Sequence, residues 1–408
     1  MSYFLDLSIL KENRNFRLIY SGQFISFIGT MITGVALPYQ IYDLTDSTLM
    51  VGLLSLAQLL PLLFTALIGG VFADRYNRRG LLIGSELFLA LGTLGLIINA
   101  NTAQPQVLPL FIISSCMSAI VGLHRPAFDS IIQQIVKPED YKKVGALGGF
   151  KFSFCMIVGP AIAGLILAHY GIVITYLVDF FTFAFSLLSI VLMHHIPSPE
   201  DAEHPSILTS LKEGFSFAMS RQELIGSYLV DFFAMIFAMP NALFPALAQQ
   251  FGGVKTLGFL YAAPAVGSLV ISFISGWTNK ITHDGRAIAL SAALWGLAIV
   301  GFGLASSLWW ALFFLALAGA FDAISGIFRS SLWNETIPQK LRGRLAGIEM
   351  MSYLSGPKLG DTRAGLIAAS LGIPFALLSG GILCVLGVGL CCLSLPRFWN
   401  YQSKREDF

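Results

Sequence analysis

The sequence predicts an all-α membrane protein, with twelve transmembrane helices arranged as two pseudo-symmetric six-helix bundles. Three observations carry this expectation. Of its 408 residues 55% are hydrophobic and only 12% charged, and its mean hydropathy is +0.74. A soluble domain carries about 25% charged residues. Twelve apolar runs each approach or exceed the roughly 20 residues that cross a 30 Å hydrocarbon core at 1.5 Å per residue. Short signatures in the second half also repeat those of the first in the same order.

In chain order the runs are 18–42, 48–73, 81–100, 107–135, 144–168, 172–193, 224–248, 256–277, 287–306, 308–333, 345–370 and 373–395. Each is expected to be a helix, because lipid offers backbone N–H and C=O groups no partner. Barrel strands would alternate polar and apolar residues over about ten positions, and no run does so. The ninth and tenth runs are nearly fused, so a very short turn is expected there. Residues 1–193 form one bundle and 224–408 the other with a short tail. Between them, 194–223 opens with the proline-broken, charged "HHIPSPEDAEHPS". Ile207, Leu208, Leu211 and Phe215 follow on one stripe, the pattern of a helix lying at the membrane interface.

Lysine and arginine set the orientation. With the amino terminus inside, nineteen of the 25 basic residues fall on inside segments and only Lys255 on an outside loop. The other five, Arg125, Lys151, Arg329, Lys358 and Arg363, lie within spans. Both termini are therefore expected in the cytoplasm. The basic residues are used for orientation, so the net charge of +2 points to no nucleic-acid partner. The opening "MSYFLDLSILKENRNFR" has no short apolar core with a small-residue cleavage site and reads as a lead-in to the first helix. Cys116, Cys155, Cys384, Cys391 and Cys392 all lie in spans, at spacings that suggest neither a metal site nor a disulfide framework. No nucleophile–base pair or phosphate loop appears, so neither an enzyme nor a cofactor is expected.

The halves repeat at a near-constant offset. Gly122-Leu123-His124-Arg125 matches Gly326-Ile327-Phe328-Arg329, 204 residues on. Pro138 and Lys142 match Pro338 and Arg342 at 200, and Gly159-Pro160 matches Gly356-Pro357 at 197. Parallel six-helix repeats suit alternating access about a midplane site.

Ionisable residues within spans are costly and therefore candidates for function. Arg125 lies four residues before Asp129, spacing that allows a pair on one helix face; His124 is the histidine to test. Asp322 and Arg329 share a face seven residues apart, with Gly326 between them. Asp231 has no basic residue within four positions. Span eleven concentrates Glu349, Lys358, Asp361 and Arg363, either as a self-neutralised packing device or as a cavity-lining charge cluster. Glu86 and Asp179 read as structural. Asp43 and Asp46 fall at the outer end of span one, where water reaches them.

One cytoplasmic stretch is more specific than orientation requires. "GGVFADRYNRR" resembles the loop signature G-x-x-x-D-R-x-x-R-R of the major facilitator superfamily, through Gly70, Asp74, Arg75, Arg78 and Arg79. Gly159, Pro160 and Gly164 of "GPAIAG" resemble that superfamily's antiporter signature. The resemblance implies a gating latch. Gly70 would let span two approach span eleven, Asp74 would face the positive end of a helix dipole, and the arginines would complete a charge network. The corresponding "GWTNKITHDGR" departs from the pattern, with Lys280 where Asp74 would be. The resemblance also implies that spans one, four, seven and ten line the cavity, which directs Arg125, Asp129, Asp231, Asp322 and Arg329 towards a substrate path.

"NRNFRLIYSGQFISFIG", "VALPYQIYDLTDSTLMVGL", "RPAFDSIIQQIVKPEDY" and "SGPKLGDTRAGLIAASLG" together resemble the enterobactin-exporter family, which covers bacterial siderophore exporters and related macrolide-efflux proteins. The implied activity is proton-coupled export of a small amphipathic compound, by a monomer in the bacterial inner membrane. Its partners are that substrate, protons and the lipid bilayer. Arginines would pair with an anionic substrate through their planar fork. By the absence of a neighbouring cation, Asp231 is the first candidate for the proton and Asp322 the second. Lys358 and Asp361 complete the set of substrate or proton candidates. Drug efflux is the alternative, with Phe24, Phe27, Phe232, Phe233 and Trp333 as apolar walls. A membrane receptor or scaffold without transport is a third reading, and it gives the latch signature no task.

Overall fold

The computed structural model describes residues 6–194, 207–338 and 341–403. They are helical throughout, with no strand among them. Two compact units result: 1–46 with 57–203, and 47–56 with 204–408.

The first unit contains α1 (Ser8–Glu12), α2 (Arg14–Thr45), most of α3 (Thr48–Arg75), α4 (Arg78–Ala100), α5 (Val107–Ile135) and α6 (Tyr141–Val191). Local sequence explains their ends. Asn13 caps α2, accepting from the Phe16 N–H at 2.9 Å, and its own amide donates to the Ile135 carbonyl at 2.7 Å. Asp46, left-handed at φ 48°, closes α2. Asn77 caps α4 by accepting from the Gly80 N–H at 3.1 Å. The 51-residue α6 holds two spans, broken at Gly171, whose φ of 77° and ψ of −178° only glycine adopts cheaply. Lys143 ties α1 to the start of α6 through Asp140 at 2.9 Å and Asp6 at 3.6 Å. The hydrogen bond to Asp140 holds its ammonium above the ordinary lysine range.

The second unit contains α7 (Ile207–Met219), α8 (Gln222–Ala238), α9 (Phe244–Gln250), α10 (Val254–Ile274), α11 (Asp284–Gly303), α12 (Leu308–Thr336), α13 (Arg342–Leu371), α14 (Ile373–Ser394) and α15 (Pro396–Trp399). The short turn expected between spans nine and ten is residues 304–307. Where an interfacial helix is expected the chain forms α7, with Phe215 exposed; the side chains of Ile207, Leu208 and Leu211 lie outside the described residues. The described residues after α14 pack back on the unit. Phe398 is fully buried, where a Cβ on Gly226 would meet its ring.

Ten helices among the described residues are long and apolar enough to cross a membrane. α6 covers two of the expected runs and the charged, 30-residue α13 covers the eleventh, so helix stands at each of the twelve expected places. One departs from expectation. Residues 224–248 read as a continuous run, but α8 ends at Ala238 and a 3-10 turn at Asn241–Leu243 precedes α9. Pro240 stands at the break, where it has no N–H to give and disfavours helix in the residue before it.

The repeat read from sequence is also a repeat of contacts. A Cβ on Gly159 would meet Met31 of α2, and one on Gly356 would meet Met235 of α8. Met31 and Met235 are themselves 204 residues apart, the offset of Gly122 and Gly326.

Candidate functional site

The second unit holds an ion triad. Arg329 of α12 pairs with Asp231 of α8 and stands 3.5 Å from Asp322, two turns back on its own helix. The Arg329 and Asp231 side chains are 13% and 14% exposed, Asp322 42%. Gly326 leaves the intervening surface bare: the nearest atom to a Cβ there would be an Arg329 nitrogen at 4.0 Å. Beside the triad, Tyr228 and Trp333 stack with ring centroids 5.4 Å apart. The Arg329 Nε, the Trp333 Nε1 and the Tyr228 hydroxyl are buried with no hydrogen-bond partner among the described residues. Three idle donors beside two carboxylates make a place that can hold protons and a hydrogen-bonding ligand.

This geometry corrects two expectations. Asp231 was singled out for lacking a nearby cation, yet Arg329 reaches it from a different helix, a contact that spacing along α8 cannot reveal. Arg329, one of the arginines expected to pair with an anionic substrate, is already committed to two carboxylates. Its counterpart in the first unit differs: Arg125 is exposed and forms no ion pair among the described residues. The expected Arg125–Asp129 pair does not form, and Asp129 is exposed as well. The matched arginines are therefore equivalent in sequence and different in chemistry.

Span eleven sends polar side chains to the break in span seven. Asp361 accepts from the Ala242 N–H at 3.0 Å and from the Ser55 hydroxyl at 3.5 Å. Arg363 donates to the Phe237 carbonyl at 2.7 Å and to the Ser379 hydroxyl at 3.1 Å. Tyr261 adds a bond to the Asn241 carbonyl at 3.3 Å. These side chains satisfy backbone groups that the break in span seven strands in an apolar setting, where each would cost several kcal/mol unpaired. Lys358 shares α13 with Asp361 and Arg363.

The latch residues divide. The side chains of Gly70, Asp74 and Arg75 lie outside the described residues, as do those of Arg342 and Arg344. Arg79 donates from Nε to the Ile190 carbonyl at 3.2 Å and from Nη2 to the Val191 carbonyl at 2.6 Å. It thereby caps the end of α6, where cations are favoured. Arg78 begins α4. Span two does approach span eleven, but at its other end. Thr362 donates to the Gly52 carbonyl at 3.1 Å and Thr48 to the Gly365 carbonyl at 3.2 Å.

Glu86 and Asp179 are both buried, and each has hydrogen-bond partners. Glu86 accepts from Gln23 at 2.5 Å and lies 3.2 Å from His124. Asp179 accepts from Thr33 at 2.5 Å and Thr182 at 3.1 Å. Sequence reasoning missed Tyr228, although it precedes Asp231 by three residues on one helix face. It also left Lys151 without a role; its ammonium lies 5.0 Å from the centroid of the Phe128 ring.

Two bundles that repeat one contact pattern, with ion groups held inside their spans, have the form of a membrane transporter, and the relatives of this chain are transporters of the major facilitator type. Residues 7–406 match the model of the transmembrane secretion effector family, and the chain belongs to that family. Among curated proteins it is 30% identical over 403 residues to the enterobactin exporter EntS of Shigella boydii serotype 18, covering 97% of this chain and 96% of that one. The enterobactin exporter EntS of Escherichia coli O9:H4 is 29% identical over 406 residues, covering 98% and 97%. Solved structures agree on the fold alone. A POT family transporter in complex with 5-aminolevulinic acid superposes with a TM-score of 0.74 at 13% identity, over 95% of this chain and 97% of that one. The nucleoside transporter NupG gives 0.70 at 14%, over 94% and 98%.

Proposed function

We propose that this chain exports a siderophore or siderophore-like compound in exchange for protons, by alternating access. It works as a monomer in the bacterial cytoplasmic membrane with both termini inside. The observation that carries the substrate class is the 30% identity over 403 residues to proteins named enterobactin exporters. The spans supply suitable chemistry. Arg125, exposed and without an ion-pair partner, offers a bidentate donor to a carboxylate or catecholate. The Asp231–Arg329–Asp322 triad supplies carboxylates for protons, each of which gains about 2.3 kcal/mol per 100 mV on entering.

Efflux of an uncharged drug is the second reading, favoured by the wall that Phe24 makes with Phe150 and Phe154, at 6.3 and 5.4 Å. A receptor without transport would leave the triad no task. The test is mass spectrometry of culture supernatants from a deletion strain and its parent under iron limitation. Depletion of an iron chelator outside the deletion strain, with retention inside, is expected. Unchanged chelator levels in both compartments would set the siderophore reading aside.

The latch is part of the same proposal: Asp74 holds the inside-closed state through a helix dipole and its arginine partners. A charge at a helix end contributes about 0.3–1 kcal/mol, which shifts a two-state balance roughly two- to fivefold. Asp74→Asn should insert and fold normally yet slow transport in reconstituted vesicles by that order. Wild-type rates would leave the stretch with orientation and helix capping as its only tasks.

A further inference from the structure

In the first unit, α2, α5 and α6 line a half-open cavity of about 620 Å³, inside the 300–1,000 Å³ range of small-molecule pockets. The Phe16 and Tyr20 rings, stacked 5.7 Å apart, form one wall and Phe128 another. Tyr20 spends its hydroxyl on the Leu147 carbonyl at 3.0 Å, so its ring is held in place. The floor is α6, where Tyr141, Val144, Gly145, Gly148 and Lys151 recur at helical spacing and all line the cavity. A Cβ on Gly145 or Gly148 would meet nothing within 4 Å, and neither glycine has a positive φ. Neither backbone conformation nor helix packing therefore requires glycine there, although each costs about 1 kcal/mol relative to alanine in a helix. What the glycines leave is bare backbone under a flat space.

The cavity also holds charged groups. Lys151 forms no ion pair or hydrogen bond among the described residues, and its ammonium lies over the Phe128 ring at 5.0 Å. Asp129 lines the same cavity, with Arg125 one turn before it on α5. The one lining carboxylate thus has two cations near it, Lys151 in the cavity and Arg125 on its own helix.

We propose that this cavity is a subsite for a monoanionic aromatic group, a catecholate or aryl carboxylate, on the exported compound. Lys151 is its counter-ion, Tyr20 and Phe128 are its stacking walls, and Gly145 and Gly148 give the ring room. The chemical class rests on the reading of the chain as an exporter of a siderophore-like compound. An aromatic ring stacks in offset geometry against such walls, which a saturated ring of the same charge cannot match.

The experiment uses the full chain in lipid nanodiscs, with 2,3-dihydroxybenzoate as probe and calorimetry as readout. Lys151→Gln should weaken binding about tenfold, the loss of roughly one ion pair at 1.4 kcal/mol per decade. Gly148→Leu should abolish binding, because its side chain occupies the floor. It should also unfold at an unchanged temperature, since its Cβ meets open space. Cyclohexanecarboxylate should bind more weakly than the aromatic probe. No binding to the wild type at millimolar probe, or equal binding to wild type and both variants, overturns the subsite. Chelator export measured in cells complemented with the same variants separates the two readings. Wild-type export with unaltered probe binding in the variants removes the subsite alone. Probe binding that follows the variants, in a protein that moves no chelator, upholds the subsite and removes the siderophore reading.

Discussion

Arg329→Ala is expected to abolish transport and to destabilise the protein by about 3–5 kcal/mol, the usual cost of removing one partner from a buried ion cluster. Arg329 is the cation that pairs with Asp231, and it also stands 3.5 Å from Asp322. With the guanidinium gone, Asp231 at 14% exposure would face an apolar interior as an unpaired charge. Arg329→Lys keeps the charge but loses the planar fork that reaches two carboxylates, so an intermediate loss of both properties is expected. Loss of stability alone could explain a dead transporter, so a neutral cluster is the control. Asp231→Asn combined with Arg329→Gln removes both charges together and should recover much of the stability, while transport stays absent. Thermal unfolding in detergent and flux in proteoliposomes read the two separately. Normal flux through Arg329→Ala, or through the neutral pair, would reduce the triad to packing.

How much of this was legible in the sequence depends on whether a feature lies along one helix or between two. Spans, the linker and the repeat are properties of runs and offsets, and the helices begin and end within a few residues of the expected places. Asn77 and Arg79 show the limit. Their stretch read as orientation and latch, but one caps α4 and the other caps α6, 112 residues away from the Val191 carbonyl it holds. Asp361 and Arg363 were ambiguous for the same reason. Their partners lie at the break around Pro240 in another helix, and an unbroken apolar run from 224 to 248 concealed them. The pairing of Asp231 with Arg329 spans α8 and α12 and is invisible to any count of neighbours along the chain. Arg125 and Arg329 make the converse point. Their matched positions follow from duplication, but only Arg329 acquired acidic partners, Asp231 on α8 and Asp322 two turns before it.

Asp322→Asn should abolish gradient-driven accumulation while leaving exchange of substrate without a gradient largely intact; Asp231→Asn should impair both. The order reverses the expectation from sequence, and the structure supplies the reason. A carboxylate that carries a proton must meet water in part of the cycle, and its negative charge must be dispensable when the proton arrives. Asp322 meets both conditions. Its side chain is 42% exposed, it stands at 3.5 Å from the guanidinium, and protonating it leaves Arg329 still paired with Asp231. Asp231 meets neither. It is 14% exposed and in direct contact with Arg329, so neutralising it removes the anchor that places the arginine. Asp231→Asn should therefore also lower the unfolding temperature, while Asp322→Asn changes it little. The decisive comparison is flux in vesicles with and without an imposed proton gradient. If Asp322→Asn still concentrates substrate against its gradient and Asp231→Asn does not, the proton sits on Asp231 in spite of its arginine. If both variants still concentrate substrate, neither member of the triad carries the proton.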